Sequence, residues 1–206
     1  IDIINIKDVL TQVDIPTLIA AFLILIPIML LSAFRFSMLL SGQNKPSLGV
    51  ATKLILAGST MNVVLPSKMG DMLKSVFMRY ALGMRSSLAV SVVVFEKACD
   101  FLGLLAWCLL GLVVYAGDDA LFILLALAIA GGLGFGILML SSLSFADWIL
   151  RLVSKVAPAS LADKFENLRK SWVEVHGFFW RSKRAVINIV GVTLSIWFLH
   201  LLQIWL

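Results

Sequence analysis

Residues 120–140 read ALFILLALAIAGGLGFGILML. No side chain in that run is charged or carries a hydroxyl, amide or ring nitrogen. As an α-helix rising 1.5 Å per residue, the run is about 30 Å long, the hydrocarbon thickness of a bilayer. In water such a helix would have no polar face to turn outward. It reads as a membrane span, and the fold class depends on whether the chain holds more like it.

It does. Upstream of the acidic turn Gly117-Asp118-Asp119 lies a long apolar stretch, Ser86 to Tyr115, interrupted by Glu96, Lys97 and Asp100. Near the start, Thr17 to Leu40 is broken only by Ser32, Arg35 and Ser37, with Pro16 placed for a first helical turn. At the end, Val186 to Leu206 is apolar throughout apart from a few polar positions. The expected spans are 17–40, 86–115, 120–140 and 186–206. Composition agrees: 61% of the residues are hydrophobic and 14% charged, with a mean hydropathy of +1.02. A soluble domain carries about a quarter charged residues, so a soluble fold is excluded.

The net charge of +5 sits in the loops, which points to orientation on the membrane and anionic headgroups rather than to nucleic acid. The acidic turn at 117–119 should face outward. The section Ser141 to Arg184 carries eight cations against four anions and should be cytoplasmic. Within it Leu161, Phe165, Leu168, Trp172, Val175 and Phe179 recur at spacings of four and three, an apolar stripe on one helical face. The amphipathic stretch 145–183 either lies in the membrane interface or packs on the ends of the other helices. Leu48 to Leu65 is short and carries Lys53, Gly58, Ser59, Thr60 and Asn62, with cations flanking both ends. Both ends then belong on one side, which predicts a re-entrant hairpin turning near Gly58 to Asn62. Irregular backbone at that depth requires burial in protein or a cavity.

Three charges within five residues carry the strongest site signal. Glu96 and Asp100 are four apart and share a helical face. Counted from Ser86, they lie ~15 Å and ~21 Å along the helix, near mid-membrane. A charge there costs from about 2.5 to more than 10 kcal/mol, so Glu96, Lys97 and Asp100 must face a polar cavity or one another. The bland alternative is a structural ion pair between Lys97 and an acid. The second signal is Pro66-Ser67-Lys68-Met69-Gly70-Asp71 with Lys74 and Arg79 following. Ser67 is placed to cap a helix, Gly70 permits close backbone approach, and a helix start beside Lys68 and Lys74 suits a phosphate. A capped helix with snorkelling cations explains the same residues. Arg35, alone near a helix end, is expected to snorkel. Cys99 and Cys108 read as packing residues, as do His200 and Gln203. Gly132 and Gly136 favour close helix packing. No nucleophile–base arrangement, metal cluster or cofactor-binding loop is legible, so neither catalytic residues, a metal nor a cofactor is expected, and the chain reads as a non-enzyme.

The residues Pro66-Ser67-Lys68-Met69-Gly70-Asp71, Lys74 and Glu96-Lys97-Ala98-Cys99-Asp100 together resemble the transmembrane flippase-like domain of lysylphosphatidylglycerol synthetases. Arg35 is similar to an arginine common in that family. The resemblance implies translocation of a lipid between leaflets of the inner (plasma) membrane, with a phosphatidylglycerol bearing an amino acid as cargo in some members and glycosylated carrier lipids or hopanoids linked to others. On that basis Lys68, Lys74 and Arg79, with Ser67 and Gly70, form a phosphate-binding set, and Asp71, Glu96, Lys97 and Asp100 form a headgroup or proton site. The expected partners are anionic or aminoacylated phospholipids and no nucleic acid; a homo-oligomer is compatible with the sequence. Residues 1–206 read as a single all-α domain, incomplete at both ends. Two rival readings stand beside translocation: the membrane module of a lipid-modifying enzyme whose catalytic domain is absent, and a membrane scaffold whose buried charges only hold helices together.

Overall fold

The computed structural model describes residues 14–40, 45–65, 70–115, 119–156 and 159–206. All regular structure among them is helical: α1 Ile15–Leu39, α2 Leu48–Val64, α3 Gly70–Leu82, α4 Ser86–Val114, α5 Ala120–Ser141, α6 Leu143–Val156, α7 Ala159–Phe179 and α8 Lys183–Trp205. Four of these, α1, α4, α5 and α8, are long and apolar enough to cross a membrane. They match the four expected spans to within three residues at each end. Asp14 caps α1, accepting from the Thr17 amide at 3.3 Å, and Ser47 caps α2 in the same way through the Val50 amide. Gly83 follows α3 at φ +63°, the left-handed conformation that ends helices and that glycine adopts without a steric cost.

The helix α4 is the hub. It packs against α3 on one side, α5 on another, and α7 and α8 on the rest. The helix α1 lies between α2 and α8. It runs antiparallel to α8, because Arg35 reaches Thr193 while the Gln203 side chain donates to the Ala21 carbonyl at 3.1 Å. The buried core follows α4 outward: Ala89, Val92, Val93 and Phe95 from the hub, with Phe36 and Leu39 from α1 and Met78 from α3. Indole N–H groups tie helices together across the bundle. Trp107 donates to the Leu194 carbonyl at 3.0 Å and Trp180 to the Leu140 carbonyl at 2.7 Å.

Two expectations are corrected. The chain does not turn at Gly58 to Asn62, because α2 runs unbroken from Leu48 to Val64. Gly58 instead faces α3, where a Cβ on it would sit 3.5 Å from the Lys74 Cβ. A Cβ on Gly70 would collide with the backbone at Gly58 and Asn62. The small residues expected to form a turn serve close packing, and α2 and α3 pack antiparallel, with Gly58 against Lys74 and Asn62 against Gly70. The amphipathic stretch 145–183 is likewise described as two helices, α6 and α7. They behave differently. Trp172, Val175 and Phe179 of α7 are buried, with the Trp172 and Phe179 rings 5.3 Å and 4.9 Å from that of Phe95. The stripe therefore packs on the bundle over the part whose side chains are described; Leu161 and Phe165 lie outside that part. In α6, Trp148, Leu152 and Val156 are exposed along one face, while Asp147 on another pairs with Arg151 of the same helix and with Arg169 of α7.

Candidate functional site

Helical periodicity puts Glu96 and Asp100 on one face of α4, with Lys97 beside them, and Asp71 and Lys74 on one face of α3. Packing α3 and α1 against α4 brings these five together with Arg35. The Lys74 ammonium donates to Glu96 Oε2 at 2.5 Å, and the Arg35 guanidinium lies 3.6 Å from Glu96 Oε1. Arg35 Nη1 also donates to Asp100 Oδ1 at 2.6 Å and to Thr193 Oγ1 at 3.1 Å. Lys97 closes the other end, 3.1 Å from Asp71 and 3.7 Å from Asp100. The ions alternate in sign along a chain that begins at Lys74 and ends at Asp71, three cations against three anions.

Burial grades across the network. Arg35, Lys74 and Glu96 are 2–3% exposed, so each depends on its partners to offset the loss of water. Lys74 also lies 4.4 Å from the centre of the Phe36 ring, which adds a cation–π contact to the ion pair. Lys97, by contrast, has a side chain 47% exposed, while those of Asp71 and Asp100 are 22% and 20% exposed. The network has a sealed end at Lys74–Glu96 and an accessible end at Asp71–Lys97–Asp100.

The accessible end opens into a cavity of about 590 Å³ between α1, α2, α3, α4 and α8. Its volume lies in the range of small-molecule sites. All six charged residues line it, as do Ser32, Ser59 and His200. Leu25 and Leu56 also line it and are half-exposed, so the rim on that side is apolar. Among the described residues, no three His, Cys, Asp or Glu side chains are grouped to hold a metal ion.

The expected site residues are sorted by this geometry. Asp71, Glu96, Lys97 and Asp100 come together, and Lys74 joins them, as the partner of Glu96. Arg35 does not snorkel; it is buried at the centre of the network, because two acids on α4 wait opposite it. Arg79 is exposed on α3 beside the Tyr80 ring and does not line the cavity. Gly70 is spent on the contact with α2. Ser67 and Lys68 lie outside the described residues. Sequence reading missed Ser32, Ser59 and His200 as cavity residues. Gln203 bonds to Ala21, and His200, whose ring lies 5.7 Å from that of Trp197, packs within the bundle and lines the cavity as well.

A family model described as the lysylphosphatidylglycerol synthase TM region matches residues 1–206. The chain belongs to this family. The match spans far more of the sequence than the two charged motifs, and with four helices fit to cross a bilayer it makes the chain a multi-pass membrane protein. No curated protein and no solved structure matches it. In this family member the two motifs are the two sides of one ion network, with Asp71 and Lys74 from the first paired to Lys97 and Glu96 from the second.

Proposed function

We propose that the chain moves the headgroup of a phospholipid between the leaflets of the cell membrane, with the charged cavity as its path. The observation that carries this is the charge-balanced, graded network on the cavity wall. A headgroup crossing bare hydrocarbon pays the full cost of a buried charge. Along this wall it would meet ammonium, guanidinium and carboxylate groups already held in place, so exchange of ion partners replaces desolvation. The phosphate is suited to Lys97 and Arg35, and an amine on the same headgroup to Asp71 and Asp100. A wall with equal charges of both signs favours a headgroup that carries both, such as an aminoacylated phosphatidylglycerol, over one that is only anionic. The α2–α3 hairpin serves as a re-entrant element beside the path, and the chain works as a transporter, without catalysis of its own.

The test is lipid exchange between leaflets in proteoliposomes containing the full-length protein, with a labelled anionic lipid and its lysyl-modified form. Wild type should move lipid, the modified form faster. Asp71→Asn, Lys97→Met and Asp100→Asn should fold and lose exchange. Wild-type rates equal to those of protein-free vesicles for both lipids would refute the proposal. The family's description as a synthase region favours a second reading, the membrane module of a lipid-modifying enzyme, and that inactive outcome would support it.

A further inference from the structure

A second cavity lies behind the charged one. It measures about 330 Å³ and is enclosed by α4, α5, α7 and α8, with Cys99, Gly103 and Ala106 of α4 as its floor. Leu133 and Ile137 form one wall, and Val190 and Leu194 the other. The walls belong to α5 and α8, both of which pack on α4 but not closely on each other. Ile137 and Val190 are each about half-exposed on the outer surface. The cavity is therefore a groove between two spanning helices, open sideways where the bilayer hydrocarbon lies.

What fills it follows by exclusion. Water needs two to four polar partners in such a space. The groove offers no polar surface: the Thr193 hydroxyl is engaged with Arg35 and the Ile189 carbonyl. A void of this size is far larger than the gaps that packed interiors tolerate. A further helix could lie over the opening but not enter it, since one turn with its side chains, about 10 Å across and 5.4 Å tall, fills roughly 400 Å³. A single hydrocarbon chain is thin enough. A water molecule takes about 30 Å³ of liquid, a methylene group is of similar size, and the groove holds roughly ten of them. The small side chains of Cys99 and Ala106 give the groove its depth, while Gly103 between them lets α8 approach through Thr193 and Trp197.

We propose that this groove is a binding site for one acyl chain of a bilayer phospholipid, seated on the α4 floor between α5 and α8. Thr193 and Cys99 separate the chain from Arg35, so a filled groove also keeps water from the rear of the Arg35–Asp100 pair. The site does not depend on translocation, only on the membrane setting of the four spans.

The experiment is photo-crosslinking of the full-length protein in nanodiscs with a phosphatidylcholine bearing a diazirine near the end of one acyl chain, followed by peptide mapping. Any bilayer lipid reaches the exposed Leu127, deeper along α5, which serves as the internal control. Expected are additional adducts on Cys99 and Ala106 in the floor. Ala106→Phe should abolish them and leave the control adducts unchanged. Should that variant fail to fold, Leu194→Trp blocks the groove from its other wall with the same expected loss. Control adducts without floor adducts in the wild type would overturn the site, as would floor adducts that survive both blocking variants. A floor cysteine that crosslinks to another segment of the protein would overturn it too.

Discussion

Arg35 on α1 and Asp100 on α4 are 65 positions apart in the chain and 2.6 Å apart in the fold. The contact joins a helix that carries a single charge to the helix that carries the charged cluster, and Glu96 shares the same guanidinium at 3.6 Å. Removing the arginine leaves two acids facing a low-dielectric interior. Arg35→Met should lower stability by about 3–5 kcal/mol, the usual cost of breaking a buried pair from one side. Arg35→Lys should recover only part of that, since an ammonium cannot span Asp100, Thr193 and Glu96 with a fixed fork. Thermal unfolding in mild detergent reads both.

Lys74 and Glu96 form the sealed end of the network and should behave as a coupled unit. Lys74→Met and Glu96→Gln each strand the partner and should each cost about 3–5 kcal/mol. The double variant leaves no unpaired ion at that contact. Its loss should fall short of the sum of the single losses by about 0.5–3 kcal/mol in a double-mutant cycle. Additive losses would mean that the two side chains do not share an ion pair.

Gly70 and Gly111 provide a matched pair of substitutions. A Cβ on Gly70 collides with α2 backbone, whereas one on Gly111 meets nothing within 4 Å. Gly70→Ala should destabilise the hairpin by about 1–3 kcal/mol, in the range for overpacking. Gly111→Ala should be neutral or mildly stabilising, by less than about 1 kcal/mol, as expected for an open helical position. Melting temperatures of the two variants, measured side by side, check the contrast.

His176 on α7 gives a pH dependence. Its ring is buried and lies 3.3 Å from the Ser141 carbonyl. Burial holds the imidazole below its ordinary pKa, and the carbonyl only partly opposes that. The fold therefore prefers the neutral ring, while the unfolded chain takes up a proton near pH 6.5, about the ordinary value. Stability from this residue is complete above that pH and declines as the pH falls towards the lowered folded value. The melting temperature of wild type should drop more than that of His176→Gln over this acid range.

The legible part of the fold and the illegible part differ for a physical reason. Spans such as Ala120–Ser141 are set by length and hydropathy, which are local quantities, and their ends came within a few residues. Glu96 and Asp100 were legible because a charge at that depth is too costly to be idle. Lys74 was legible as a cation in the first motif, but its partner was not, since nothing local relates position 74 to position 96. Arg35 reads as snorkelling from the sequence because its distance from a helix end is visible there and the acids across the bundle are not. Gly58 and Asn62 resembled a turn because small polar residues serve turns and close helix contacts equally well.

On the proposed function, the charged cavity is a path for the headgroup and not merely an ion cluster that holds helices. Ser59→Trp tests it most directly, because Ser59 lines the cavity and belongs to no ion pair. The measurement is lipid exchange between leaflets in proteoliposomes, wild type against this variant, with melting temperatures taken on the same samples. The indole should plug the cavity, so that exchange falls to the protein-free background while the melting temperature holds. Exchange at the wild-type rate in a folded Ser59→Trp protein would contradict it.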